Sequence, residues 1–134
     1  MDIGNVMDDL GAALETISGL RVFPYWAERV TPPAASVGFP EPYNFDATYQ
    51  RGSDTATFPV TLVVGKVDAR TSRDELSQYA NGSGASSVKA AIDNHTATAY
   101  DVATVSSASF EVVTIAGVEY LAAIFQIDVT GSGS

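Results

Sequence analysis

The stretch FEVVTIAGVEYLAAIFQIDV, residues 110–129, constrains the fold more than any other part of the chain. Strand side chains alternate between faces, and a two-residue turn at Ala116-Gly117 decides which residues stand opposite each other. Pairing outward from that turn, with Gly117 supplying the positive φ, puts Phe110, Val112, Thr114, Glu119, Leu121, Ala123, Phe125, Ile127 and Val129 on one face. The other face carries Glu111, Val113, Ile115, Val118, Tyr120, Ala122, Ile124, Gln126 and Asp128. The first is a core face. The second is too apolar for water, because a sheet with one solvated side alternates apolar with polar residues. Val113, Ile115, Val118, Tyr120 and Ile124 therefore need cover, from helices on both sides of the sheet or from another subunit.

The rest of the chain supplies the elements around this hairpin. Asp2 can cap a helix whose apolar Ile3, Val6, Met7, Leu10, Leu14 and Ile17 recur at helical spacing, with Ser18-Gly19 ending it. Gly4 and Gly11 lie inside that helix, each costing about 1 kcal/mol relative to alanine unless a close neighbour compensates. Arg21 to Tyr25 reads as a short edge strand because of Pro24, and Ala34 to Phe39 as a second strand. Tyr43, Phe45, Ala47 and Tyr49 alternate with polar residues, Gln50 to Asp54 makes a turn, and Thr57 to Lys66 resumes as a Val-rich strand. The outer half of that second hairpin is too polar for a core strand, so it is expected to project as an arm. Thr71 or Ser72 can cap a short helix with Leu76, Tyr79 and Ala80 inward, and Val88, Ala91 and Ile92 mark another. The order α, β, β, β, β, α, α, β, β predicts an α+β fold: a mostly antiparallel sheet with an N-terminal helix and two short central helices packed on it, plus a projecting β-hairpin arm. Residues 1–130 form a single domain on this reading, and residues 131–134 a flexible tail.

A chain of 134 residues can bury a core without disulfides or metals, and it has no cysteine, which removes thiolate metal sites and cysteine nucleophiles. The opening MDIGNVMDDL lacks the basic and apolar regions of a signal peptide, and no apolar run spans a bilayer, so a soluble cytoplasmic product is expected. The patterns at Asn81-Gly82-Ser83 and Asn94-His95-Thr96 are then chance matches to a glycosylation acceptor. Sixteen acidic residues against seven scattered basic ones give a net charge of −9, which argues against direct phosphate binding.

His95 is the single histidine, in a polar loop with no serine elbow to serve, and reads as a solvated loop residue. Gly82 to Ser87 has the glycines of a phosphate loop, but it follows a helix and lacks the Gly-Lys-Ser/Thr ending, so it reads as a helix-helix turn. Asp8-Asp9 and Asp74-Glu75 diverge by about 100° as helix neighbours and read as solvated faces. Arg51-Gly52-Ser53-Asp54 reads as a hairpin turn. No catalytic residue, metal ligand or cofactor is expected.

Four stretches, MDIGNVMDDLGAALETISGLRVFPYW, DATYQRGSDTATFPVTLVVGKV, DELSQYANGSGASSVKAAID and FEVVTIAGVEYLAAIFQIDV, together resemble the tail-terminator proteins of long-tailed actinobacterial bacteriophages, over nearly the whole chain. The resemblance implies a small α+β structural subunit, not an enzyme, that forms a hexameric ring on the head-proximal end of the tail tube, ends tube growth and provides the docking surface for the neck. It implies a virion protein assembled in the host cytoplasm, with the tail tube protein and a neck or head-completion protein as partners, no membrane, and DNA passing through the lumen without specific binding. Another head-tail connector or tail-completion subunit of the neck is the alternative. Ring packing is head-to-tail and offers each subunit two surfaces to bury. Tyr43, Phe45, Tyr49, Arg51 and Asp54 of the arm, with Val113, Tyr120 and Ile124 of the closing hairpin, are the candidate subunit interface.

Overall fold

The fold, described from a computed structural model for residues 2–23, 33–44, 53–67, 70–115 and 117–132, is α+β with the element order expected from the sequence. Helix α1 (Ile3–Glu15) begins where the Asp2 carboxylate accepts the Asn5 N–H at 2.9 Å, and Gly19 leaves it at φ 80°. The short strands β1 (Arg21–Phe23), β2 (Ala34–Val37) and β3 (Tyr43–Asn44) precede the long β4 (Ser53–Lys66). Helices α2 (Arg70–Tyr79) and α3 (Val88–Asp93) come next, and β5 (Val102–Ile115) and β6 (Val118–Ser132) close the chain.

The sheet runs β1-β2-β4-β6-β5, with β3 also on β4; β1 pairs parallel with β2 and the other ladders are antiparallel. Strands β2 and β3 share one side of β4, separated where Pro59 has no N–H to give, and Gly38 N–H bonds the Pro59 carbonyl at 2.8 Å. A Cβ on Gly38 would come within 2.9 Å of the Pro59 ring, so this crossing needs glycine. The closing hairpin has the register read from its turn, Ile115 opposite Val118 and Phe110 opposite Ala123, until a bulge between Val105 and Ser107.

The three helices of the described residues lie on one face. Val6, Leu10 and Leu14 of α1, Leu76 and Tyr79 of α2, and Val88 and Ile92 of α3 form one buried cluster with Phe58, Val60, Leu62, Phe125, Ile127 and Val129. Among the described residues no helix covers the hairpin's second face. Arg70 is already helical, so neither Thr71 nor Ser72 caps α2, and Ser72 is buried where a Cβ on Gly65 would collide with its Oγ.

Strand β6 continues through Gly131 and Ser132, opposite Asp54 and Ser53, two residues into the segment expected to be a flexible tail. Backbone pairing needs no side chain, so small residues can extend a strand whose partner is already in place. Of the two helix glycines, Gly11 is buried and Gly4 is exposed, with the Asp2 carboxylate 3.5 Å from where a Cβ on Gly4 would stand.

Candidate functional surface

The sequence pointed to two regions, and the structure treats them differently. At the root of the expected arm, Tyr43 and Asn44 pair with Ala56 and Thr55, so this part belongs to the sheet. The Tyr43 hydroxyl donates to the Asp54 carboxylate at 2.6 Å, and Asp54 is 4 % exposed. Burial, the hydrogen bond to Asp54 and the charge of Asp54 push the Tyr43 phenol up to about 12. These two candidates thus face each other within the chain. Phe45, Tyr49 and Arg51 lie outside the described residues.

The closing hairpin offers the larger surface. Val113, Tyr120 and Ile124 are half-buried on the face away from the helices, where Val113 stands opposite Tyr120. Beside them Ala34, Val63 and Ala122 run side by side across three strands, all buried, and none belongs to the helix-side cluster. Toward the other end this face turns polar, with the Thr57 hydroxyl donating to Asp128 at 2.8 Å across the strands. The apolar character expected of the second face is therefore strongest in the half nearer the turn, with Val102 an exposed apolar residue at the far end.

On the helix-side face the same half escapes cover. Phe110 is 59 % and Val112 50 % exposed, although both were read as core-facing. Their register is as expected; the helices simply end short of them. Between Phe110 and α2 lies an open groove of about 510 Å³, bounded by Arg73, Leu76, Ser77, Ala80 and Asn81. Val118 is also exposed, so uncovered apolar side chains occur on both faces of this part of the hairpin.

A polar cluster that the sequence did not reveal joins α1 to the loop before β5. Asp9 Oδ1 lies 3.2 Å from His95 Nε2, while Asp9 Oδ2 accepts the N–H groups of Thr98 at 3.2 Å and Ala99 at 2.9 Å. Both side chains are 18 % exposed, which corrects the reading of Asp9 and His95 as solvated. Burial pushes the Asp9 carboxyl up, but the Ala99 N–H, the His95 side chain and the Thr98 N–H together outweigh it and hold the carboxyl below its ordinary value. Burial, with the Asp9 charge nearby, pushes the Tyr100 phenol up to about 12.

An aspartate beside a histidine invites comparison with hydrolase chemistry, and His95 does border a cavity of about 350 Å³ with Thr16 and Ser87. Both hydroxyls are engaged elsewhere. Ser87 Oγ donates to the Asn81 carbonyl at 2.5 Å and accepts the Ala90 N–H at 3.1 Å as the cap of α3, and Thr16 Oγ1 donates to the Ala13 carbonyl at 2.6 Å. The arrangement ties loop to helix and leaves neither hydroxyl aligned on the imidazole. No group of three or more metal-ligating side chains occurs among the described residues.

Compared with models of protein families and with curated proteins, the chain matches none.

Proposed function

We propose that this protein is a structural subunit of a bacteriophage tail, forming a ring that caps the head-proximal end of the tail tube and presents its other side to the neck. The observation that carries the reading is the closing hairpin, which extends past the helices with Phe110, Val112 and Val118 uncovered and with Val113, Tyr120 and Ile124 half-buried on its helix-free face. Such exposure suits a chain that buries the surface in an assembly. A ring built by head-to-tail packing takes up two unlike surfaces per subunit and closes without a free end. The resemblance of the four sequence stretches to tail terminators supplies the identity of the assembly, and the acidic balance of the chain suits a lumen through which DNA slides.

The function follows from geometry alone, with no bond made or broken. A tube subunit exposes the same binding face after every added layer, so growth stops only when an unlike ring occupies that face. Electron microscopy of particles produced without the protein tests this. Tails of uncontrolled length, detached from heads, are expected. Tails of normal length joined to heads would overturn the proposal, and normal tails left unjoined would place the protein at another connector position of the neck.

A further inference from the structure

Strand β5 is the last in the sheet order, and no described strand occupies its free side. The residues flanking a two-residue turn form a hydrogen-bonded pair, here Ile115 and Val118, and such pairs alternate along an antiparallel ladder. Val113, Glu111 and Ser109 therefore bond to β6, while Thr114, Val112, Phe110 and Ala108 turn their backbone N–H and C=O outward. Natural edges resist pairing with lysine, proline, inward charges or bulges. This edge has neither lysine nor proline, a single charge at Glu111, and a bulge only beyond Ser107. Its chemistry calls for another extended strand.

We propose that the free edge of β5 docks β5 of a second copy of this chain, antiparallel and centred on Phe110. Among the described residues the opposite edge of the sheet is β1, Arg21–Phe23, and head-to-tail continuation on that stretch would leave most of β5 unpaired. Strand β5 matches its own length and pattern. Centred on Phe110, the pairing sets Phe110 against Phe110 of the second copy, Ala108 against Val112, and Ser109 against Glu111, and the outward groups meet in hydrogen-bonded pairs. Centring on Glu111 would bring two carboxylates directly opposite, and centring on Ser109 would set Val112 against the bulge at Ser106. The Phe110 register keeps the two carboxylates apart, moves the bulge at Ser106 out to Thr114, and brings together the two most exposed large hydrophobic side chains of the overhanging half, Phe110 and Val112. A chain of net charge −9 meets its copy here along a strand with one charge.

The pairing uses Phe110 and Val112, on which the proposed ring also draws, so the dimer is a state of the free protein that opens before a ring forms, and its test uses the free protein. Sedimentation equilibrium from low to high micromolar concentration is expected to show a monomer-dimer equilibrium. Hydrogen exchange at the Ala108, Phe110 and Val112 amides is expected to slow as the dimer forms. Val112→Pro removes an outward N–H and leaves the β6 ladder intact, and Phe110→Lys puts two cations opposite each other. Each is expected to weaken dimerisation by about tenfold or more while circular dichroism stays unchanged. A variant that unfolds leaves the decision to the other and to the exchange data on the unaltered protein. A wild-type chain that stays monomeric, a dimer whose three amides exchange freely, or folded variants that dimerise as the wild type does would each overturn the pairing. A monomer that still caps tails would do so while leaving the proposed function standing.

Discussion

Along the closing hairpin, Phe125, Ile127 and Val129 lie beneath the helices and are at most 3 % exposed, whereas Phe110 and Val112, on the same face nearer the turn, are 59 % and 50 % exposed. Both halves obey one alternation and one pairing register, broken only by the bulge at Ser106. Their difference comes from what lies above them. In the rooted half, apolar area removed from water stabilises the fold at roughly 25 cal/mol per Å². In the overhanging half that free energy is not collected within the chain, so it remains available to an assembly.

The largest expected effect tests the rooted half. Phe125→Ala should cost about 3–5 kcal/mol of stability, because a fully enclosed aromatic leaves a cavity the sheet cannot collapse. Urea denaturation measures it. A cost below about 1 kcal/mol would mean that the two halves are not distinguished by burial.

Next comes the tie that leads into the rooted half. Asp9→Ala removes the acceptor that holds Thr98 and Ala99 just before β5, leaving their N–H groups without it, and should cost about 2 kcal/mol at neutral pH. The sign of the pH dependence follows from the carboxyl. Its folded value lies below the unfolded one of about 3.9, so its contribution is present above that value and is lost as the pH falls through the folded one. Urea midpoints measured from neutral pH downward should therefore converge for wild type and Asp9→Ala at the acid end. A constant gap would show that Asp9 acts by packing alone.

Smaller effects on stability, with a large one on assembly, are expected at the helix-free face. Ile124→Lys and Val113→Lys replace half-buried residues and should each cost about 1 kcal/mol, since a lysine there can reach water along its stem. Incorporation into tails should nevertheless be lost. Particles that take up both variants normally would show that this face is not an interface.

The smallest change belongs to Phe110→Ala, expected to shift thermal stability by no more than about 0.5 kcal/mol because the ring is mostly solvated already. A cost comparable to Phe125→Ala would erase the comparison from the other side.

Much of this architecture was legible before any coordinates. The spacing from Ile3 to Ile17 marks α1, Asp2 caps it, and Ala116-Gly117 determines the hairpin register, because all of these depend on neighbours within a few residues. Other features depend on contacts that no local pattern encodes. Asp9 and His95 are 86 residues apart, and each taken alone looks like a solvated polar residue. Asp54 stands in a turn-like stretch, yet it pairs with Gly131 in register and accepts from Tyr43, both of which need the sheet to be assembled. A hint was present in the Asp-Asn-His-Thr loop, since a lone histidine among small polar residues suits a carboxylate partner, but nothing in it says which carboxylate.

Residue order dictates which side chains share a face, since the periods of 2 and 3.6 follow from backbone geometry and hold wherever the strand or helix lies. Phe110 and Phe125 therefore had to lie on one face of the sheet. That Phe125 would be enclosed and Phe110 left open was decided only when α1, α2 and α3 settled together on that face and stopped short of the hairpin turn. Burial belongs to the space between elements, and that space is defined by where helices end in three dimensions, which no periodicity along the chain records.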